Sequence, residues 1–268
     1  MAAARPPRPG ALLPAVLEPH SVRSVAVLAD IHGNLPALEA VLAKLRVLAP
    51  DLVVVAGDAL AGPFPVETLA ALEALGSRVR FVCGNADRAA VEAFDAVADA
   101  ARDAMDAYAG ACLDRAARDR VALWPAALAL RVEGIGSVRV CHATPRSDTE
   151  ILTDRTPLAQ AAACLEGVPE ETVVVGHTHM AYDRRVGPRR LVNAGSVGMP
   201  YGGPGADWLR LGPVATAMHT DYDLGAAAQR IAASTWPEAA AFARDNVVRT
   251  PSRAEATAFF ERLAGRAR

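Results

Sequence analysis

Lysine is almost absent from these 268 residues: Lys44 is the only one, and arginine supplies nearly all of the positive charge. The 28 basic side chains are offset by 30 acidic ones, a net charge of −2. Such a balance argues against stable nucleic-acid binding and against attraction to an anionic membrane surface. Cysteine is sparse as well. Cys83, Cys112, Cys141 and Cys164 lie far apart without a C-x-x-C pair, a pattern that suits reduced thiols in a cytoplasmic protein. No apolar run approaches the roughly 18 residues that a membrane span needs. The stretch Ala11–Leu17 is short for a signal peptide, is broken by Pro14 and has no small-residue cleavage site after it. With Pro6, Pro7 and Pro9 nearby, residues 1–22 are expected to form a disordered tail. At 28.0 kDa and 52% hydrophobic residues, the remainder can bury a sizeable core in one or two domains.

From residue 23 the pattern is regular. Apolar runs at Arg23–Ala29, Asp51–Ala56 and Arg78–Cys83 read as buried strands. Helical spacing over Leu35–Leu48 and Val66–Leu75 separates them, with Pro36 tolerated in a first turn. Strand, helix, strand, helix, strand implies parallel pairing through right-handed crossovers. Val91, Phe94, Ala98, Ala101, Met105 and Tyr108 recur at steps of three and four, opposite Glu92, Asp95, Asp99, Asp103 and Asp106. This predicts an amphipathic helical insertion over 88–122, placed to cover a site or to pack on a sheet edge. Strands are expected at Ala127–Val132 and Ser137–Cys141 around a Gly134–Gly136 turn, then a helix near Leu158–Leu165 and a strand at Glu171–Val175. Tyr182–Val186, Arg190–Val192, Trp208–Leu211 and Val214–His219 suggest a second, more antiparallel sheet. The main domain is thus placed at 23–222, followed by a helical extension over 223–268 punctuated by Pro237 and Pro251.

The chemistry sits where strands end. The first is followed by Asp30-Ile31-His32-Gly33-Asn34, the second by Gly57-Asp58, the third by Gly84-Asn85-Ala86-Asp87. The hairpin strand leads into His142 and the valine run into Gly176-His177-Thr178-His179. The carboxyl ends of strands are where open α/β sheets bind ligands, and glycine permits tight turns and close backbone approach. In extended backbone, residues i and i+2 point the same way, so Asp30 and His32, like His177 and His179, are expected to converge. Four of the six histidines fall at these ends; His20 and His219 do not. Two Asp, one Asn and four His make an oxygen-and-nitrogen donor set without thiolate, suited to Mn, Fe, Zn, Co or Ni rather than Ca or Mg. Seven donors exceed the needs of one catalytic ion, and fit two ions sharing a carboxylate.

In this order and with these glycines, the blocks resemble the calcineurin-like metallophosphoesterase superfamily. Asp30–Leu38 and the stretch Asn193-Ala194-Gly195-Ser196-Val197-Gly198-Met199-Pro200 are similar to its small bacterial and archaeal phosphodiesterase branch. The resemblance spans roughly 23–220. It implies an α/β fold, a four-layer α-β-β-α sandwich with two mixed sheets. It also implies that Asp30, His32 and His179 hold one metal, that Asn85, His142 and His177 hold the other, and that Asp58 bridges. Protein-phosphatase-like members carry a histidine after the Gly-Asn pair and an Asp-Arg-Gly after the bridging block. Here these places hold Ala86 and Gly57-Asp58-Ala59-Leu60-Ala61-Gly62, which disfavours phosphoprotein hydrolysis and leaves the proton donor open.

Two cations lower the pKa of bound water towards neutrality, so a bridging hydroxide is expected to attack phosphorus in line. Asp58, Asn85 and His142 are the expected catalytic set, with Asn85 able to donate through its amide to the phosphate. Asn85, Arg88 and Arg146, and also Arg184, are candidate contacts to a small phosphate-ester substrate. Asp87 is expected to orient Arg88 or to cap the following helix. A phosphodiesterase is the favoured reading. A nucleotide phosphatase, a dinucleoside polyphosphate hydrolase and a non-catalytic scaffold are the alternatives, and self-association is left open.

Overall fold

The computed structural model describes residues 12–96 and 103–266. Two sheets face each other. The first takes the order β11-β10-β2-β3-β4, from Val25–Leu28 (β2), Leu52–Ala56 (β3), Val79–Val82 (β4), Ala206–Leu211 (β10) and Thr216–Thr220 (β11). The second runs β1-β5-β6-β7-β9-β8, from Ala15–Val22 (β1), Ala127–Val132 (β5), Gly136–Cys141 (β6), Thr172–Val175 (β7), Tyr182–Val186 (β8) and Arg189–Asn193 (β9). Both are mixed: β2, β3 and β4 pair in parallel while β10 runs antiparallel to β2. β6, β7 and β9 are parallel, and β5 and β8 are antiparallel to their neighbours β6 and β9.

Alternation along the strands builds the layers. Val25, Val27, Val54 and Ala56 meet Leu128, Leu130, Val138, Val140 and Val174 in a core between the sheets. Ala26, Leu28, Val53 and Val55 point the other way, onto the helices Leu35–Leu48 (α1) and Pro65–Glu73 (α2). On the far side Cys141, Val173 and Val175 pack under the helix Leu158–Cys164 (α6). The result is the expected four-layer α-β-β-α sandwich. The four cysteines are unpaired, and among the described residues no helix is long and apolar enough to cross a membrane.

Several expectations need correction. Residues 15–22 are no tail: β1 pairs in parallel with β5, with a register shift between Leu17 and Ser21. Arg80 Nε donates to Glu18 at 2.7 Å, and Arg139 Nη1 donates to the Leu13 carbonyl while its Nε donates to buried Glu170. Residues 1–11 of the expected tail lie outside the described residues, as do Ala98, Asp99 and Ala101 of the expected single helix. That insertion is three helices, Asn85–Phe94 (α3), Ala104–Cys112 (α4) and Arg115–Val121 (α5). Nor do β8, β9, β10 and β11 share a sheet. β10 joins β2 and carries β11 with it, because strand alternation specifies a buried face and not a partner.

The C-terminal extension folds as Leu224–Ala232 (α7), Ala239–Phe242 (α8) running into a π-helical turn at Ala243–Val248, and Arg253–Leu263 (α9). Trp236 and Phe242 pack with Phe64, Met105 and Tyr108, so this extension reaches both the α2 entry and α4.

Deleting residues 1–22 should uncover the β5 edge and strip Arg80 of its partner. A loss of roughly 2 kcal/mol, or about 4–8 °C in thermal midpoint, is expected for a chain of this size. An unchanged midpoint in differential scanning fluorimetry would show that β1 contributes nothing to the sheet.

Candidate metal centre

Strands β2, β3, β4, β6 and β7 all end at one edge of the sandwich, and the seven sequence-derived donors follow them within four residues. Their loops continue the ladders by single bonds. Asp30 N donates to Gly57 O at 3.0 Å, His32 N to Asp58 O at 3.0 Å and Gly176 N to His142 O at 2.7 Å. Extended backbone does not aim these side chains. Asp30, His32, Asp58, His177 and His179 all have positive φ, between 48° and 67°; among the described residues only Ala49 and Ala96 share that conformation without being glycine. Left-handed backbone is costly for such residues and clusters where function demands it. The convergence is real, then, but it comes from turns.

Each carboxylate uses one oxygen to hold a neighbouring loop and points the other inward. Asp30 Oδ2 accepts from His177 N at 2.9 Å, and Asp58 Oδ1 accepts from Ala86 N at 2.8 Å. Space is so tight that a Cβ on Gly84 would lie 2.1 Å from Asp58 Oδ1, and one on Gly176 would lie 2.5 Å from Asp30 Oδ2. This is why glycine precedes Asn85 and His177.

The inward-facing atoms form two groups, Asp30–His32–His179 and Asp58–His142–His177, within each of which the donor atoms lie no more than 4.8 Å apart. Three imidazoles have the same tautomer imposed on them. Nδ1 of His32, His142 and His179 lies 3.0–3.1 Å from the carbonyls of Ala61, Ala56 and Met199, so each Nδ1–H donates outward and each Nε2 faces in. His32 Nε2 and His179 Nε2 consequently sit 3.2 Å apart, lone pair to lone pair. Asp30 Oδ1 is buried without a hydrogen-bond partner, 3.3 Å from His179 Nε2. Asn85 Oδ1 faces His142 Nε2 at 3.1 Å, and only a turned amide would donate to His142, His177 and the Asp148 carbonyl. Converging acceptors with no donor between them are what a cation pair would satisfy, and the residues present fit one.

Electrostatics lead to the same conclusion. Burial disfavours charge throughout. Against it, the Asp58 carboxylate 3.2 Å away pushes His142 up to about 10, and His142, His32 and His177 together hold Asp58 well below the usual carboxylate range. Burial and the His142 charge bring His177 down to about 4. A proton shared between Asp58 and His142, and the His179 imidazole beside Asp30, are compensation the chain itself offers.

Further residues support the centre, and of these Asp87 takes the capping role expected of it. Asp87 caps α3 and also accepts from Asp58 N, Ala59 N and Leu60 N at 2.7–3.2 Å, holding the whole Asp58 turn. Burial and the Asp58 charge raise its carboxyl to about 7, against the pull of these N–H groups. Ser196 Oγ donates to Asp30 O at 2.7 Å, Asn193 Nδ2 donates to Gly176 O, and the Tyr201 ring stacks on His179 with centroids 5.3 Å apart. The 193–200 stretch, noted only for its resemblance, is thus the backing of the Asp30–His179 side. The arginines are occupied. Arg88 donates to Asp148 and Glu92, Arg146 to Glu150 and the Ala163 carbonyl, and Arg184 to the carbonyls of Thr153, Asp154 and Thr156.

Comparison with known proteins agrees with this geometry. Residues 24–211, more than half of the chain, match the model of the calcineurin-like phosphoesterase superfamily domain. Among solved structures, a hypothetical protein from Pyrococcus horikoshii superposes with a TM-score of 0.70 at 23% identity, covering 82% of this chain and 97% of its own. A metallophosphoesterase from Sphaerobacter thermophilus gives 0.65 at 22% identity, covering 84% and 100%. A putative diadenosine tetraphosphatase gives 0.53 at 19%, covering 79% and 100%. At such identities the likeness is one of fold. No curated protein sequence matches significantly. With the domain matched over most of its length, the chain belongs to the calcineurin-like phosphoesterase superfamily.

Proposed function

We propose that this chain is a metal-dependent phosphoesterase that cleaves phosphodiesters in preference to monoesters. In this reading Asp30, His32 and His179 hold one divalent transition-metal ion, Asn85, His142 and His177 hold a second, and Asp58 serves both. One observation carries it: Asp58 Oδ2 lies 3.2 Å from His142 Nε2 in one group and 3.9 Å from His32 Nε2 in the other. Bound there, two cations would acidify water and neutralise charge on the phosphoryl oxygens.

The chain's own residues have distinct tasks. Asp58 keeps the two halves in register, through Oδ2 inward and through Oδ1 to the first turn of α3. His142, its ring fixed by the Ala56 carbonyl, presents Nε2. Asn85 presents its carbonyl oxygen inward, towards His142 Nε2, and can leave its N–H groups for a phosphoryl oxygen. Asp30, His32, Asp58, His142 and His179 are buried, whereas Asn85 and His177 are half-exposed, so substrate approaches from their side. None of the three arginines considered as clamps is free, so none of these three is available for the second negative charge of a monoester. A cytoplasmic setting fits four unpaired cysteines.

The Mn-loaded protein should hydrolyse bis(p-nitrophenyl) phosphate with a kcat/KM at least about tenfold above that for p-nitrophenyl phosphate, a difference of about 1.4 kcal/mol. Turnover of the monoester alone would overturn the diester preference. A dinucleoside polyphosphate belongs in the same panel, because one structural neighbour is described as a putative diadenosine tetraphosphatase. Asp58→Asn keeps the shape of the carboxylate and removes its charge. It should lower kcat/KM by about 10³ or more, about 4 kcal/mol, with the unfolding transition still cooperative. Full activity in that variant would remove the shared carboxylate from the account.

A further inference from the structure

We propose that Asp106, carried over the mouth of the site by α4, delivers a proton to the leaving oxygen of the substrate. The inference rests on the phosphoesterase reading and fills the place for which the first turn of α3, with Ala86, offers no proton donor.

Position is the first argument. α4 lies directly on α3: a Cβ on Gly110 would come within 2.6 Å of the Ala90 carbonyl oxygen. Ala109 and Met105 of α4 pack with Ala86 and Ala90 of α3 and with Ala61 of the Asp58 loop. Asp106 stands three residues before Ala109 and four before Gly110, on that same face. α4 is braced from behind, where the Tyr108 and Thr235 hydroxyls hydrogen-bond at 2.8 Å. The face that carries Asp106 is therefore held against Ala86, the neighbour of half-exposed Asn85, and against Ala61 of the Asp58 loop.

Availability is the second. Among the described residues no hydrogen bond or ion pair reaches the half-buried Asp106 carboxyl. Its neighbours are committed: Asp103 caps α4 by accepting from Met105 N, and Asp148 and Glu92 both take Arg88. The charges that Asp106 feels are Asp58, Asp103, Asp87 and Arg88. Burial first, and then the three carboxylates, push its pKa up to about 7, with Arg88 opposing; the N-terminal turn of α4 also favours the anion. Cations at the site would work in the same direction as Arg88, so the decisive titration is on the loaded protein.

The step balances. As the bond from phosphorus to the leaving oxygen breaks, its electron pair stays on that oxygen. The oxygen takes the proton from Asp106, the neutral alcohol departs, and the carboxylate recovers a proton from water. An alkoxide needs this help and a nitrophenolate does not, and general acids of this kind contribute about 10²–10⁴-fold.

The test compares Asp106→Asn with the wild type in the Mn-loaded enzyme on an aryl diester and on an alkyl diester. Turnover of bis(p-nitrophenyl) phosphate should stay within about threefold, and turnover of a dialkyl ester should fall about 100-fold or more. For the dialkyl ester, wild-type kcat/KM should decline as pH rises through the Asp106 pKa, and the variant should lose that decline. Independently of turnover, carboxyl-carbon NMR of the Zn-loaded protein should show one aspartate titrating near neutrality that is missing from Asp106→Asn. Equal losses on both esters, no loss on the dialkyl ester, or an Asp106 that titrates in the ordinary aspartate range would each overturn the assignment. If the wild type is inert on both esters, the phosphoesterase reading falls and this role falls with it. If the wild type is active and Asp106→Asn is unaffected, only the role of Asp106 falls.

Discussion

At the centre of this protein, lone pairs face lone pairs. His32 and His179 direct their Nε2 atoms at each other across 3.2 Å, Asp30 Oδ1 is buried without a donor, and Asn85 Oδ1 looks at His142. Each arrangement is unfavourable by itself, since a buried acceptor without a donor costs about 1–3 kcal/mol. Together they define a volume that asks for positive charge. The surrounding structure enforces the arrangement. Three backbone carbonyls set the imidazole tautomers, Asp87 gathers four N–H groups beneath the Asp58 turn, and Ser196 grips the Asp30 carbonyl. Five donor residues held in left-handed backbone complete the picture of strain concentrated at one edge of the sandwich.

The sandwich makes that strain affordable. Its central strands are buried on both faces, β2 and β3 between a helical layer and the opposing sheet. Rigid ends on such strands position loops better than loops position themselves. The two additions to the core then shape access. α3 supplies Asn85 and a platform for α4, and α9 sets Phe260 against the Tyr201 that stacks on His179. The insertion and the C-terminal extension meet where Met105 and Tyr108 join Trp236.

Much of this was legible in the sequence, for identifiable reasons. Continuous apolar runs such as Val25–Leu28 and Leu52–Ala56 can only be strands with both faces covered, and polar residues right after them can only lie at a sheet edge. That logic placed all seven residues at one edge of the sandwich. It misjudged how they converge, because period-two reasoning describes strands and these residues sit in turns. Pairing partners were harder still. β10 and β11 have strand patterns, but nothing local says that β10 joins β2. β1, with exposed Val16 and Leu17, shows too little alternation to stand out from a tail. Asp87 was legible as a helix cap, but its hold on the Asp58 turn was not, because that turn comes from another element.

The account turns on whether the Asp58 carboxylate lies between two cations. Anomalous diffraction from crystals grown with Mn measures this directly. Two peaks are predicted, one among Asp30, His32 and His179 and one among Asn85, His142 and His177, with Asp58 within bonding distance of both. A single peak, or a pair of peaks that Asp58 does not touch, would contradict it.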